Sequence, residues 1–449
     1  CFSSMDVRYR IQGGGPLQGD VTISGSKNAA LPIIAATILV KGETILRNVP
    51  RLSDVETMLS ILRFLGAETA VEDTTIRINT ASLVNAPIPH EFVSKLRGAI
   101  VLLGPLLSRF GRVEMSYPGG CVLGKRPVNA HLAAFIQMGV RDLSTDDSLC
   151  LEGHVIGGEV ILPEFSVTAT ENVLIAAALA QGETRIHLAA AEPHVQDLCH
   201  FLQLLGVSIQ GIGSHTLLIQ GSPSINNQAE YTVVSDYLEA GCMIIAGLVT
   251  RGELRVHGAV REHLISFLGA IERLGGVVRF DQLGVIHVHG SRSSLRAIKL
   301  QTNIFPGFPT DLQAPIGIAL TQAHGVSRVF EVLFEGRMAY LYELEKMGAH
   351  IEILNAHQSL IIGPTPLQGR TVASNDIRAG AAMVLAGLCG HGETVVTDVR
   401  YIERGYDRFE CKLRSLGARI EREAEGNQVN AAPVVASSVR GKKRTSVQQ

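Results

Sequence analysis

The 449-residue chain contains no tryptophan, and aromatic residues make up only 5% of it. Neither sign of charge dominates, since 40 Lys and Arg stand against 42 Asp and Glu, a formal net charge of -2. A balance this close to neutral argues against a general nucleic-acid binder. The seven cysteines form no CxxC pair, so the sequence predicts neither a disulfide framework nor a zinc site.

Long apolar runs are also missing. The longest, residues 98–107 and 379–390, are shorter than the roughly 18 residues that suggest a membrane span. The first ten residues, CFSSMDVRYR, carry charges where a signal peptide needs an apolar core. We therefore expect no membrane insertion and a cytoplasmic protein. A composition of 46% hydrophobic and 18% charged residues predicts a globular fold rather than disorder.

Glycine, in contrast, is abundant at 46 residues, and two ladders of glycines repeat about every 70 positions. The first ladder ends amphipathic, helix-like stretches and consists of Gly66, Gly139, Gly206, Gly275, Gly348 and Gly417. The second ends apolar runs that precede alternating, strand-like segments and consists of Gly42, Gly111, Gly182, Gly252, Gly325 and Gly392. Two ladders with one period predict six structural repeats.

Helix and strand patterns alternate within each repeat, which predicts an α/β (α+β) fold. In the fourth repeat, apolar residues from Leu264 to Leu274 follow helical spacing up to Gly275, and VVRF and VIHVHG alternate like strands. A single repeat is too small for a secure core, so we expect two lobes of three repeats each. Residues 423–449 lose this periodicity and are predicted to be a disordered tail.

The segment SGSKNAALP, residues 24–32, lies where an opening strand passes into the first apolar helix. Gly25 and Ser26 have the character of turn and cap residues. Lys27 at a helix N-terminus adds a full charge to the partial positive charge of the helix, which suits a phosphate or carboxylate ligand. The alternative is a capped helix with a solvated lysine.

The segment SYPGGCVLGKRPVNAH, residues 116–131, places glycines on both sides of Cys121 and the cations Lys125 and Arg126 directly after them. Glycines permit the large backbone rearrangement that a lid needs. A thiol there can donate a proton, or act as a nucleophile once it is deprotonated. The alternative is a purely structural cysteine.

Three helix starts carry an aspartate behind a cap-like residue, at Asp236, Asp311 and Asp376. A first-turn aspartate stabilises any helix, so the pattern alone does not choose a catalytic residue among them. Four arginines are candidate anion ligands: Arg97, Arg337, Arg378 and Arg404. His287 and His289 share one strand face, but no third ligand is evident, so we expect no metal.

The ordered motifs SGSKNAALP, PGGCVLGKRPV, SVTATEN, FPTDLQA, DIRAGAAMVLAG and IERGYDR resemble those of the UDP-N-acetylglucosamine 1-carboxyvinyltransferase family of enolpyruvyl transferases. The resemblance runs from about residue 7 to residue 422. It implies an inside-out α/β barrel of two lobes with the active site between them. Because the N-terminal strand of that family crosses into the second lobe, the implied lobes are residues 27–235 and residues 1–26 plus 236–422.

The resemblance further implies transfer of the enolpyruvyl group of phosphoenolpyruvate to the 3-hydroxyl of UDP-N-acetylglucosamine, the first committed step of peptidoglycan precursor synthesis, without a cofactor. Cys121 and Asp311 would be catalytic. Phosphoenolpyruvate would be held by Lys27, Asn28, Arg126 and Arg404. The nucleotide sugar would contact Arg97, Arg126, Pro127, Val128, Asn129, Ala130, Glu164, Phe165, Ser166, Val167, Asp311 and Leu333.

Two positions depart from the family pattern, since Glu164 stands where lysine is usual and Asn129 where aspartate is common.

Two other functions compete with the one that the resemblance implies. The first is the activity of the shikimate-pathway sister enzyme, which shares the sixfold repeat. It is disfavoured because the arginine-containing motif typical of that enzyme is absent from this sequence and the Cys121 loop is present. A protein that only binds UDP-sugars, without catalysis, is permitted by the Glu164 change.

Overall fold

A computed structural model describes residues 7–117, 119, 128–222 and 224–424 of the chain. Its strands, in chain order, are β1 (Val7–Gln12), β2 (Gln18–Thr22), β3 (Glu43–Arg47), β4 (Glu68–Glu72), β5 (Thr75–Asn79), β6 (Arg112–Ser116), β7 (Arg141–Asp142), β8 (Ser148–Glu152), β9 (Glu159–Ile161), β10 (Glu183–His187), β11 (Ser208–Gln210), β12 (Thr216–Gln220), β13 (Ala229–Thr232), β14 (Glu253–His257), β15 (Val278–Phe280), β16 (Ile286–His289), β17 (Lys299–Gln301), β18 (Gly325–Phe330), β19 (His350–Asn355), β20 (Gln358–Gly363), β21 (Thr371–Ala373), β22 (Glu393–Thr397) and β23 (Arg419–Ala424).

The α-helices, in the same order, are α1 (Lys27–Ala36), α2 (Ser53–Phe64), α3 (His90–Val93), α4 (Leu103–Phe110), α5 (Asn129–Gln137), α6 (Val167–Ala177), α7 (Pro193–Leu204), α8 (Tyr237–Val249), α9 (Ile265–Leu274), α10 (Gln313–Thr321), α11 (Tyr340–Lys346), α12 (Ile377–Cys389), α13 (Arg400–Glu403) and α14 (Phe409–Ser415). Short 3-10 helices lie at Thr37–Leu39, Arg97–Leu102, Arg261–Leu264, Gly290–Arg292, Thr310–Leu312 and Glu335–Met338.

The strands of the described residues form six sheets, which matches the six predicted repeats. Their strand orders are β13-β3-β5-β4, β6-β8-β7, β11-β12-β10-β9, β15-β16-β14-β2, β17-β18-β20-β19 and β21-β22-β1-β23. In the five four-stranded sheets, one edge strand runs parallel to its neighbour and the other pairings are antiparallel. The repeated pairing confirms that one supersecondary unit recurs along the chain.

Helices occupy the centre and sheets the outside. Every residue of α8 and of α10 is buried, because these helices are apolar on all sides and rich in small residues that allow close approach. Helices α8, α10 and α12 pack against one another, and α4 packs against α6. The predicted two-lobed, inside-out α/β barrel with three repeats in each lobe is therefore confirmed.

Two hydrophobic clusters divide the described part of the chain. One draws on residues from Ala29 to Val233, and the other on residues from Tyr9 to Ile23 together with residues from Tyr237 to Ile420. Strand β1 lies between β22 and β23, and β2 pairs with β14. These pairings support, as a proposal, lobes of residues 27–235 and of residues 1–26 plus 236–422.

The two connections between the lobes lie side by side. Gly25 and Ser235 form an antiparallel bridge, the Ser26 N–H donates to the Val234 carbonyl at 2.7 Å, and the Asp236 N–H donates to the Ser24 carbonyl at 2.9 Å. A Cβ atom on Gly25 would lie 1.7 Å from the Asn48 carbonyl oxygen. The close approach of the backbones requires glycine at this position.

The first glycine ladder has one structural role throughout. All six glycines have positive φ, from 81° at Gly139 to 99° at Gly206. This left-handed conformation ends a helix at low cost only when the residue has no Cβ. In the fourth repeat, α9 ends at Gly275 as predicted, and β15 and β16 are the two predicted strands. At the other end of the chain, β23 extends to Ala424, so the first two residues of the predicted tail are strand.

Candidate active site

Lys27 and Arg404 meet at one carboxylate between the lobes. Lys27 Nζ lies 3.1 Å from Asp54 Oδ2, and Arg404 Nε lies 2.9 Å from Asp54 Oδ1. Ser26 caps α1 by accepting the Ala29 N–H, as the sequence predicted, and this fixes where the Lys27 side chain begins. Lys27 is buried, so its alternative as a solvated lysine is wrong.

Burial lowers the pKa of Lys27; Asp54 opposes this shift, and the positive charges of Arg378 and Arg404 add to it. The ammonium group is thus held among other cations with one neighbouring carboxylate. Such a cluster gains free energy when an anion enters it. Sequence reasoning missed Asp54, because an aspartate in the first turn of α2 has the pattern of an ordinary helix start.

A cavity of about 1,030 Å³ opens beside this cluster. Residues of both lobes line it, including Asp54, Ser94 and Lys95 from one and Arg404 and Tyr406 from the other. A Cβ on Gly119 would lie 2.9 Å from the Ser94 carbonyl oxygen. Gly119 therefore lies next to Ser94, one of the residues that line the cavity. Cys121, Arg126 and Pro127 themselves lie outside the described residues.

The three predicted helix-start aspartates differ in their contacts. Asp236 accepts the Leu238 and Glu239 N–H groups, and Asp376 accepts those of Arg378 and Ala379, so both are N-caps. Asp311 instead lies in a 3-10 turn before α10 and contacts two arginines. Its Oδ1 is 3.0 Å from Arg337 Nη1, and its Oδ2 is 2.9 Å from Arg378 Nε. The structure thus distinguishes Asp311 from the two structural caps.

Buried polar atoms without a hydrogen-bond partner among the described residues surround Asp311. They include Arg337 Nε, Arg378 Nη1 and His194 Nδ1. His194 interacts electrostatically with both Asp311 and Arg378, which places it near them. Buried polar groups of folded proteins are normally satisfied, so these atoms call for a polar partner such as a water molecule or a ligand. Arg337 and Arg378, which their residue type made candidate anion ligands, both contact Asp311, whereas His194 gave no sequence signal.

The residues assigned to the nucleotide sugar lie around the starts of two helices. Val128 precedes α5, which begins at Asn129, and Ser166 caps α6 by accepting the Ala169 N–H. Arg97 begins the 3-10 helix that leads into α4. The remaining assigned residues of these segments are Ala130, which is buried, Val167, which is partly exposed, and Glu164 and Phe165, which are exposed.

Two further predicted site residues are Asn28, expected to hold phosphoenolpyruvate, and Leu333, expected to contact the nucleotide sugar. Asn28 is partly exposed in the first turn of α1, next to Lys27. The Leu333 N–H donates to Glu331 Oε1 at 2.9 Å, and Glu331 is fully buried. In the HVH segment, His287 Nε2 lies 3.0 Å from Asp281 Oδ2, and His289 Nδ1 lies 2.7 Å from Glu253 Oε2.

The buried histidines of this region predict a pH dependence. Burial lowers the pKa of His131 and of His194 to about 4. Between pH 4 and 6.5 the unfolded chain therefore binds more protons than the folded one, so stability rises with pH across this window, by up to about 3 kcal/mol per residue. Urea unfolding from pH 4 to 7 should show a flatter pH dependence for His194→Gln than for the wild type; parallel curves would contradict this.

The chain is similar to known proteins over most of its length. The sequence profile of the family described as EPSP synthase (3-phosphoshikimate 1-carboxyvinyltransferase) matches residues 11–413. UDP-N-acetylglucosamine 1-carboxyvinyltransferase of Methylacidiphilum infernorum is 40% identical over 420 residues, covering 92% of this chain and 98% of its own. The enzyme of the same name from Chlorobium phaeovibrioides is 42% identical over 417 residues, covering 92% and 97%.

Solved structures share the fold. The enolpyruvyl transferase NikO from Streptomyces tendae superposes with a TM-score of 0.84 at 24% identity, over 93% of this chain and 99% of its own. EPSP synthase from Acinetobacter baumannii gives a TM-score of 0.74 at 17% identity, over 93% and 100%. Within the described residues, no helix is both long and apolar enough to cross a membrane. From its sequence and its fold, the chain belongs to the UDP-N-acetylglucosamine 1-carboxyvinyltransferase family of enolpyruvyl transferases.

Proposed function

We propose that the protein transfers the enolpyruvyl group of phosphoenolpyruvate to the 3-hydroxyl of UDP-N-acetylglucosamine and releases phosphate. The observation that carries this proposal is the convergence of Lys27 and Arg404 on Asp54, beside the Arg378–Asp311 pair. Fixed cations suit a substrate that carries a phosphate and a carboxylate. The reaction is assigned to the cytoplasm, as a step of peptidoglycan precursor synthesis.

The proposed roles divide between the two substrates. Lys27, Asn28, Arg126 and Arg404 hold phosphoenolpyruvate, and Asp311 orients or deprotonates the sugar hydroxyl. Cys121 donates a proton to the methylene carbon; this role is supported by the glycines on both sides of Cys121 and by the match of its segment to the family motif. The segments at the starts of α5 and α6, with Arg97 and Leu333, line the nucleotide-sugar site.

The arrangement suits an addition followed by an elimination. Addition of the sugar oxygen to carbon 2 and of a proton to carbon 3 of phosphoenolpyruvate gives an anionic tetrahedral intermediate. Loss of a proton and of phosphate then restores the double bond. Cations that are already in place stabilise this intermediate without reorganisation at the moment of reaction. None of these steps needs a metal ion or a cofactor.

The test is phosphate release from phosphoenolpyruvate by the purified protein, with EDTA present and one acceptor at a time. With UDP-N-acetylglucosamine as the acceptor, we expect one phosphate to be released for each molecule of enolpyruvyl-UDP-N-acetylglucosamine formed, the product being quantified by mass spectrometry. With shikimate 3-phosphate as the acceptor, we expect no phosphate release. Cys121→Ala is the matched inactive control, and Cys411→Ala, which removes an exposed thiol, is the active one.

Two results would contradict the proposal. Turnover with shikimate 3-phosphate but not with the UDP-sugar would assign the sister activity. Binding of UDP-N-acetylglucosamine in calorimetry without any phosphate release would identify a protein that only binds the nucleotide sugar. The exposed Glu164, at the position where lysine is usual, is the residue that motivates this second measurement.

A further inference from the structure

Asp311 lies between two arginines, and each of these arginines lies over the face of an aromatic ring. Arg337 Cζ is 5.2 Å from the centroid of the Phe334 ring, and Arg378 Cζ is 5.1 Å from the centroid of the Tyr406 ring. Both distances are within the roughly 6 Å over which a ring face attracts a cation. Phe334 is close to Arg337 in the chain, whereas Tyr406 comes from the loop between α13 and α14, so its contact is a tertiary one.

The Arg378 guanidinium is buried and only partly hydrogen-bonded within the described residues. Arg378 is 5% exposed, and its Nε donates to Asp311 Oδ2 at 2.9 Å. Its Nη1 is buried without a hydrogen-bond partner in the described part of the chain. A buried cation with incomplete hydrogen bonding depends on its other contacts, and a desolvated contact with a ring face is a strong one. The Tyr406 ring therefore contributes to the orientation of Arg378.

Tyr406 is itself held by the core of its lobe. It is 2% exposed, its hydroxyl oxygen lies 3.1 Å from Cys242 Sγ on the fully buried helix α8, and its ring centroid lies 4.8 Å from that of Phe409. Burial raises the pKa of Tyr406, although the positive charge of Arg378 opposes the shift, so the hydroxyl is protonated at pH 7. Arg378 therefore faces a neutral ring in a fixed position and not a phenolate.

We propose that Tyr406 is a positioning residue for the transfer reaction: its ring face holds the Arg378 guanidinium, and Arg378 in turn fixes the orientation of Asp311. This inference rests on the proposed function. Arg337 contacts the other carboxylate oxygen of Asp311 at 3.0 Å, so the carboxylate keeps its orientation while both guanidinium groups stay in place. A displacement of about 1 Å at a catalytic group lowers a rate on the order of 100-fold.

The sharpest test keeps the shape of the ring and changes only its electrons. Tyr406→Phe retains the ring face and should keep most of kcat for phosphate release. Mono-, di- and trifluorinated phenylalanine at the same position withdraw electron density from the face and weaken its attraction for a cation. We expect kcat to fall at each step, to about 10-fold below that of Tyr406→Phe for the trifluorinated ring. A kcat that does not follow the degree of fluorination would overturn the inference.

The KM for phosphoenolpyruvate is the internal control of the fluorinated series. Arg404 contacts Asp54 at 2.9 Å, away from the ring face of Tyr406 that the fluorine atoms alter. Because the shape of the ring and the backbone stay as they are, this KM should not change. A rise of this KM in place of a fall of kcat would assign Tyr406 to the phosphoenolpyruvate cluster and overturn its role at Asp311.

A second test removes the ring. Tyr406→Leu is compared with Phe409→Leu, since Phe409 is 1% exposed and packs against Tyr406 in the same core. Both variants lose buried ring atoms, so both should lower the melting temperature. Tyr406→Leu should lower kcat on the order of 100-fold, whereas Phe409→Leu should keep it. Equal losses of kcat would make Tyr406 an ordinary core residue. If Tyr406→Leu does not fold, the fluorinated series decides the question.

A double variant tests the route of the effect. In an Asp311→Asn background, Tyr406→Leu should lower kcat far less than it does in the wild type, because its role is exerted through Asp311. A full and independent loss in that background would overturn the positioning role.

The outcomes separate this inference from the proposed function. If the wild type releases no phosphate with UDP-N-acetylglucosamine as the acceptor, both are overturned. If the wild type turns over and fluorination of the ring leaves kcat unchanged, only the inference fails.

Discussion

Asp311→Asn is expected to lower kcat for phosphate release by about 100-fold or more, the scale that a positioned acid or base contributes. The substitution keeps the size of the side chain but removes the negative charge between Arg337 and Arg378. The neutral amide cannot accept the proton of the sugar hydroxyl, and it cannot compensate the positive charges of the two guanidinium groups. Initial rates at saturating concentrations of both substrates measure the effect.

Asp236→Asn is the matched control, since it makes the same change at the corresponding position of another repeat. Asp236 accepts two backbone N–H groups, and asparagine caps a helix about as well as aspartate. We therefore expect little change in kcat and only a small change in melting temperature. Equal losses of kcat in the two variants, or a purely thermal effect at Asp311, would make Asp311 a structural residue.

Lys412→Met is expected to cost about 3–5 kcal/mol of the free energy of unfolding, because it breaks a buried ion pair. Lys412 Nζ contacts Glu239 Oε1 and donates to Ser24 Oγ at 2.7 Å, and Glu239 Oε2 accepts the Ser24 N–H at 3.1 Å. Glu239 is only 2% exposed, so the variant leaves a carboxylate buried without its cation. Urea unfolding measures the loss.

The pH dependence of this loss follows from Glu239. Burial raises its pKa to about 7, although Lys412 opposes the shift. Between pH 4.5 and 7 the folded state binds more protons than the unfolded one, so the contribution of Glu239 to stability falls as pH rises. As pH falls through this range the Glu239 carboxyl becomes increasingly protonated, so the deficit of Lys412→Met should be smaller at pH 5 than at pH 8.

The double variant Lys412→Met with Glu239→Leu provides the control. An apolar pair of similar volume avoids the buried charge, so it should regain much of the lost stability. If the double variant is as unstable as the single one, the loss comes from packing at the lobe junction rather than from an unpaired charge.

The sequence predicted the repeats because their signals are local. A glycine at the end of a helix and an alternating strand each depend on neighbouring residues, and Gly275 and β16 lie where the pattern indicated. The cap at Ser26 was predictable for the same reason. These features need no knowledge of how distant segments meet.

The contacts of the site could not be predicted in this way. Asp54 contacts both Lys27 and Arg404. Arg404 lies 350 residues from Asp54 in the chain, and nothing local in α2 indicates such a partner. The three aspartates are alike in sequence, yet only the tertiary structure places Asp311 between two arginines. His194 has the pattern of an ordinary first-turn residue, and its electrostatic interaction with Asp311, more than 100 residues away in the chain, follows only from the tertiary structure.

The position of β1 between β22 and β23 determines the order in which the lobes can be completed during synthesis. Residues 27–235 leave the ribosome with all the strands of their own sheets, so this lobe can fold while translation continues. Strand β1, however, must wait for residues 393–397 and 419–424 before its sheet exists. Until then β1 has neither of its two neighbouring strands, and any truncation before residue 419 leaves it without β23.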